Sequence, residues 1–389
     1  KIFQTEHPVV IYPSSGTGAW EAALVNLFEL GDRLLMVETG QFATLWRELA
    51  ERLGYEAEFI PGDWRHGVDP AAVEARLKAD GGAAIKAVCM VHNETSTGAT
   101  SQVAAVRQAI DAAGHDALFL VDTISGLASM DYRHDEWGVD VTIAGSQKGL
   151  MTPPGLSFVA AGPKAKERHK TAGLRSSYWD WALRDMEEHY RKYCGTPPVH
   201  LLFGLRKAMD MILEEGLENI FQRHALLCGA THAAVDVWRK SGAFDFNVTN
   251  PAQRSASVTT LRLREDLRPE PLRAFCFDRL GVTLGLGIGD LSGKAFRIAH
   301  MGHVNAPMML GTLGALEVAL DALGWTDDGS KGGIAAATAY HGGNPVPTDR
   351  YHVQRTTAYW PTVSRGALGV EREFYREPGE LIPAGINDL

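Results

Sequence analysis

Two charged side chains sit where apolar runs end, and their types suit a single chemistry. The run Val139-Asp140-Val141-Thr142-Ile143-Ala144 leads into the turn Gly145-Ser146-Gln147-Lys148-Gly149, and the run Ala117-Leu118-Phe119-Leu120-Val121 ends in Asp122. As strands, these runs deliver an amine and a carboxylate to the carboxyl edge of a sheet, where open α/β sheets bind ligands. A lysine beside an acid suits a cofactor that needs an amine to form an imine and a carboxylate to keep a pyridine nitrogen protonated. Pyridoxal phosphate needs both. Alone, an Asp in this position equally caps the following turn.

Other segments could complete such a site. Ser14-Ser15-Gly16-Thr17-Gly18 lies between a strand and a helix. Its small residues let the backbone approach a phosphate, and the helix start offers free N–H groups and positive dipole. It fits neither the P-loop nor the dinucleotide glycine pattern, and flexible turns of this composition are common. Val91-His92-Asn93-Glu94-Thr95-Ser96-Thr97-Gly98 follows another strand, and its hydroxyls either face a ring oxygen or cap a helix. Phe42, after Thr39-Gly40-Gln41, either covers a flat ring or packs in the core. Arg297 stands among apolar neighbours in Ala295-Phe296-Arg297-Ile298-Ala299. Such a cation is costly unless paired, either with a substrate carboxylate in bidentate fashion or in a structural ion pair. Gly285-Leu286-Gly287-Ile288-Gly289 reads as a flexible turn or a loop near the substrate.

The elements that must position these residues follow from periodicity. Strands are expected over Val9–Tyr12, Arg33–Val37, Glu56–Ile60 and Ile85–His92, ahead of the two named above. Helices are expected over Ala19–Leu30, Phe42–Gly54, from Asp69-Pro70 onward, and over Val103–Ala113. Repeated β-α units imply a mostly parallel sheet covered by helices on both faces. Beyond 196 come long helices, Leu201–Gly216 and Leu217–Gly242, then a smaller α+β lobe with strands Val258–Leu263 and Ala295–His300 and a helix Pro307–Leu323. After Gly324 the periodicity weakens, and 326–389 read as irregular. The resulting division is a large α/β domain over 1–200, interdomain helices over 201–250, a small α+β domain over 251–343 and a tail over 344–389.

The totals exclude several classes. The chain has 389 residues, a net charge of −9 and no long basic run, so no nucleic-acid partner and no anionic-membrane partner is expected. No apolar stretch reaches the ~18 residues of a spanning helix. Cys89, Cys194, Cys228 and Cys276 are scattered without a CxxC pair, as in a reducing, cytoplasmic setting. No metal-ligand spacing is present. Lys1-Ile2-Phe3-Gln4 runs almost at once into a strand, so a segment is expected to be missing at the start.

Together YPSSGTGAWEAAL, VHNETSTG, LVDTISGLASMDY, DVTIAGSQKGLMTPPGL, SSYWDW and GKAFRIAHMGH resemble the class V aminotransferases, most of all the serine–glyoxylate and alanine–glyoxylate branches. The resemblance runs from about Val9 to about Ala339. It implies the type I fold of pyridoxal phosphate enzymes: a large mostly parallel sheet domain plus a smaller C-terminal α+β domain. It implies Lys148 as the covalent anchor of the cofactor and Asp122 at the ring nitrogen. It places Ser15, Gly16, Thr17 and Gln147 at the phosphate, Thr95 at the ring hydroxyl, Phe42 on the ring face and Arg297 on the substrate carboxylate. A homodimer, or a tetramer, would share its sites, with Tyr193 and Thr196 of the KYCGTP segment reaching the other subunit's phosphate. The substrates implied are small amino acids and 2-oxo acids, with serine and glyoxylate in a ping-pong cycle and alanine or aspartate as alternative donors. Two other readings are a cysteine desulfurase, which would carry His where Gln147 stands, and a binding or assembly protein without turnover.

Overall fold

The computed structural model describes residues 1–344 except Gly82, Ala83 and Arg175. The tail assigned to 344–389 therefore lies, apart from Asn344, outside the described residues. The first lobe alternates strands and helices: β1 Val9–Tyr12, α1 Gly16–Val25, β2 Arg33–Val37, α2 Gln41–Arg52, β3 Glu56–Ile60, α3 Pro70–Ala79 and β4 Ile85–Val91. It continues with the ribbon β5 Asn93–Glu94 and β6 Ala99–Thr100, then α4 Val103–Ala112, β7 Leu118–Asp122, β8 Val141–Gly145 and β9 Ser157–Ala161. The seven-stranded sheet runs β1-β9-β8-β7-β4-β2-β3. β3, β2, β4, β7 and β8 pair in parallel, while β9 is antiparallel to both β8 and β1. The strand ends at Tyr12, Val91, Asp122 and Gly145 therefore share one edge. Both faces of the central strands are buried, as in Leu118–Asp122. One apolar cluster around Phe119, Val88 and Val106 fills one side, and another around Leu120, Trp46 and Leu24 fills the other.

Local signals act as expected at several boundaries. Asp69 caps α3, its side chain accepting from Ala71 N at 3.0 Å, with Pro70 at the first position. The helix expected over Ala19–Leu30 instead starts at Gly16 and stops at Val25. Asn26 ends it. Its buried Nδ2 donates to Ala22 O at 2.7 Å and to Trp179 O at 2.8 Å, while its Oδ1 accepts from Trp181 N at 3.0 Å. Leu27 and Phe28 stay buried although they leave the helix.

Short helices α5 Pro163–His169, α6 Trp181–Arg184 and α7 His189–Lys192 precede the long α8 Val199–Glu215 and α9 Leu217–Trp238. α9 spans two cores: Ile220 packs with the first lobe, and Leu227 to Trp238 with the second. The second lobe holds β10 Phe244–Phe246, β11 Val258–Leu263, α10 Pro269–Leu280, β12 Gly285–Leu286, β13 Ala295–Ala299, α11 Ala306–Ala322 and α12 Gly333–Gly343. Its sheet order is β10-β11-β13-β12, so strand pairing begins already at Phe244. The expectation of irregular chain from 326 fails over α12, which packs on α9. Small residues make this contact: a Cβ on Gly333 would collide with Trp238, and one on Gly229 with Tyr340. Ile334 and Tyr340 pack on the second core around fully buried Ala337, with glycines permitting the close approach. Among the described residues no helix is long and apolar enough to cross a membrane.

Candidate active site

The carboxyl edge of the large sheet carries a pocket of about 200 Å³. Ser15, Gly16, Thr17, Phe42, Thr95, Asp122, Gln147 and Lys148 all line it. Trp20, Val91, Asn93, Ile124 and Ser125 also line it, and motif spacing does not single them out.

β7 delivers Asp122 into a water-poor setting, 3% exposed. Its Oδ1 accepts from Ile124 N and its Oδ2 from Trp20 Nε1, each at 2.7 Å. Burial is the largest influence on the carboxyl and pushes it up to about 7; the two hydrogen bonds and Lys148 oppose this, and Glu94 adds to it. Lys148 follows β8 and is half-buried. Burial, then the charge of Arg297, lower its pKa, and Asp122 opposes them. Among the described residues the Lys148 side chain makes no hydrogen bond or ion pair, so its amine is available to a ligand.

At the other end, Ser15 precedes α1 without spending its side chain on a capping bond. The first bond back to Ser15 O comes from Gly18 N, leaving the N–H groups of Gly16 and Thr17 ahead of the helix ladder. Gly16 packs closely on the end of the Ile124 side chain, which would have to shift for a Cβ there. The segment Ser176–Trp181 braces this turn from behind. Tyr178 Oη donates to Pro13 O at 3.0 Å, Tyr12 Oη to Trp179 O at 2.6 Å and Trp179 Nε1 to Glu21 at 2.9 Å.

The VHNETSTG segment forms a ribbon, and it also caps a helix through space. Glu94, fully buried, accepts from Phe42 N and Ala43 N at 3.1 Å each, from Ser96 N at 3.1 Å and from Ser96 Oγ at 2.6 Å. Gln41 N donates to Ser96 Oγ at 3.0 Å. The start of α2, and with it Phe42, is thus held by side chains from another element. Burial raises the Glu94 carboxyl, and these donors oppose the rise. Glu94→Gln places an amide against at least one donor. It should lower stability by about 2–4 kcal/mol, read from the denaturation midpoint, and weaken ligand binding under Phe42.

Thr95 Oγ1 donates to Ser125 Oγ at 2.7 Å, so it keeps acceptor capacity toward the pocket. Arg297 comes from β13 of the second lobe and lies beside the pocket. Its Nε donates to Leu286 O at 2.6 Å and its Nη1 to Thr95 O at 2.8 Å. Among the described residues it forms no ion pair, and the carboxylate acting on it is that of Glu94. The loop at Gly285–Gly289 is partly strand, and Gly289 packs so closely on Gln41 that a Cβ would collide there. Tyr193 and Thr196 are not brought to this pocket within one chain. Tyr193 lines a separate groove beside β1 with Val9, Ile11, Lys166 and Arg184.

The donor set fits pyridoxal phosphate: an amine with a lowered pKa and, among the described residues, no partner, a buried carboxylate, and a helix start without a side-chain cap, all lining one pocket. The sequence model of the family Aminotransferase class-V matches residues 1–288. The serine–glyoxylate aminotransferase of Methylorubrum extorquens is 39% identical over 356 residues, covering 89% of this chain and 86% of that protein. The L-aspartate–glyoxylate aminotransferase of Paracoccus denitrificans is 39% identical over 338 residues, covering 86% and 84%. The crystal structure of ureidoglycine–glyoxylate aminotransferase from Bacillus subtilis superposes with a TM-score of 0.78 at 26% identity, over 88% of this chain and 87% of that one. A lysine–aspartate pocket on this sheet, with relatives of this likeness along most of its length, makes the chain a member of the class V aminotransferases, with pyridoxal phosphate as its cofactor.

Proposed function

We propose that the protein transfers the amino group of L-serine to glyoxylate, giving hydroxypyruvate and glycine in ping-pong order. The observation that carries the transamination chemistry is the Lys148 amine, without a partner among the described residues, sharing a pocket with buried Asp122. When bound, pyridoxal phosphate supplies an aldehyde carbon that takes the amino group and a ring that accepts the electron pair left on the substrate carbon. Lys148 would hold the group through its amine, and the same Nζ, once free, would serve as the base for the proton on the donor Cα. Asp122 keeps a proton on the ring nitrogen. The Gly16 and Thr17 amides, the Ser15 hydroxyl and Gln147 hold the phosphate. Thr95 Oγ1 would face the ring hydroxyl, Phe42 would cover the ring, and the N–H groups of Arg297 not spent on Leu286 O and Thr95 O would take the substrate carboxylate.

Serine is favoured by relatives so named in Methylorubrum extorquens and Arabidopsis thaliana, at 39% and 40% identity. The equally similar aspartate–glyoxylate relative supports aspartate as the second reading; alanine is the remaining donor of this kind. A desulfurase is disfavoured by Gln147 and by the absence of any cysteine from the pocket lining. Initial rates with glyoxylate and each donor decide: serine should give the highest kcat/KM, and a tenfold preference for aspartate or alanine would overturn the choice.

We also propose a homodimer in which Tyr193 and Thr196 complete the phosphate site of the other subunit. Support comes from their place outside the pocket of their own chain, and from Val199, Phe203 and Leu213, exposed by 56%, 76% and 48% on one face of α8. Four free thiols support a cytoplasmic setting.

A further inference from the structure

We propose that Trp20 is a positioning residue for the reaction: its indole N–H fixes the Asp122 carboxylate in the orientation that meets the cofactor's ring nitrogen. Trp20 is 3% exposed, and its Nε1 lies 2.7 Å from Asp122 Oδ2. With Ile124 N on Oδ1 at 2.7 Å, both oxygens are tied and the plane of the carboxylate is set, while each oxygen keeps a lone pair for the pocket. The chemistry of indole suits this task. It is a donor only, so it favours the acceptor form of the carboxylate. It is neutral, so it does not compete with a protonated ring nitrogen as a cationic partner would.

Trp20 is itself held. Its ring stacks on Trp46 of α2 at 5.9 Å between centroids and 13° between planes. It also lies one helical turn beyond Gly16 on α1. A single helix therefore spaces the phosphate turn at its start from the carboxylate that Trp20 orients, which ties the two ends of the cofactor site to one rigid element. The other ionisable groups around Asp122 are Lys148 after β8, Glu94 on β5, and the buried Tyr132. Buried His92 after β4 bonds Thr123 Oγ1 at 3.0 Å. None of them donates to the carboxylate.

The inference rests on the cofactor assignment and not on the choice of donor. The test compares Trp20→Phe with Trp46→Phe, since among the described residues Trp46 Nε1 has no hydrogen-bond partner and phenylalanine keeps a ring against Trp20. Pyridoxal phosphate is titrated into each cofactor-free protein, and the acid limb of kcat/KM against pH is recorded for each holoenzyme. Trp20→Phe should bind the cofactor about tenfold more weakly and move the acid limb to higher pH. Trp46→Phe should change neither by more than about twofold. Equal responses of the two variants, or an unmoved Trp20→Phe, would overturn the proposal. Failure of the unsubstituted protein to bind pyridoxal phosphate would overturn the cofactor assignment with it. A second readout needs no variant. In the unsubstituted cofactor-free protein, the Trp20 indole N–H resonance should follow the titration of Asp122 while that of Trp46 stays still; a pH-independent Trp20 signal contradicts the inference.

Discussion

Lys148→Ala should abolish the visible absorbance of the lysine-bound cofactor and lower kcat by at least about 10³-fold. General acid–base transfer alone contributes about 10²–10⁴-fold, and the same residue also provides the covalent anchor. The side chain is well placed for both duties. It emerges from the turn after β8, buried on several sides and without a hydrogen bond to give up. Burial and the neighbouring Arg297 hold its pKa below the usual lysine range, which raises the neutral fraction that can attack and accept a proton. Lys148→Arg keeps the charge and removes the nucleophile, so it should fail as completely as alanine. Turnover retained in the arginine variant would show that charge, not the amine, is what the site needs.

Asp122→Asn should lower kcat by about 10²–10³-fold with the fold intact. The amide cannot stabilise a positive ring nitrogen, so the ring loses electron-accepting power in the step that depends on it. Its NH₂ would also oppose the Trp20 indole N–H, while Oδ1 still receives Ile124 N. The substitution carries a pH signature in the cofactor-free protein. Burial raises Asp122 from 3.8 to about 7, so the native state holds that proton more tightly than the unfolded chain. The stability this provides is complete below the unfolded value and is lost as pH rises through about 7. The variant lacks the term. Its stability relative to the unsubstituted protein should therefore improve from pH 5 to pH 8, measured by denaturant unfolding at each pH.

Much of the frame was legible in the sequence because its signals are local. Arg33–Val37 and Glu56–Ile60 form strands over the residues their patterns predict, and Asp69-Pro70 opens a helix with the expected cap. The pocket also follows from local signals, since Ser15, Asp122 and Lys148 each stand at the end of an apolar run that becomes a strand of one sheet. What escaped depends on contacts across the chain. Glu94 serves α2 from more than forty residues away, and nothing in its own neighbourhood announces that. Trp20 reads as a core aromatic until the direction of its N–H is known. Val25 ends α1 because Asn26 answers Trp179 and Trp181, far along the chain. The helix Gly333–Gly343 was hidden because Ile334 and Tyr340 are its two large apolar side chains, and close approach at Gly229 and Gly333 rather than a dense apolar stripe seats it. The residue types of Arg297 left two readings open; in the structure its guanidinium bonds the carbonyls of Leu286 and Thr95, and among the described residues it forms no ion pair.

The most direct test of the account is the absorbance spectrum of the purified holoenzyme before and after L-serine, and again after glyoxylate. A visible cofactor band that falls with serine and returns with glyoxylate is predicted, since Lys148 would give up the cofactor in the serine half of the cycle and regain it in the glyoxylate half. A band that stays unchanged with serine, alanine and aspartate alike would contradict transamination at the Lys148–Asp122 pocket.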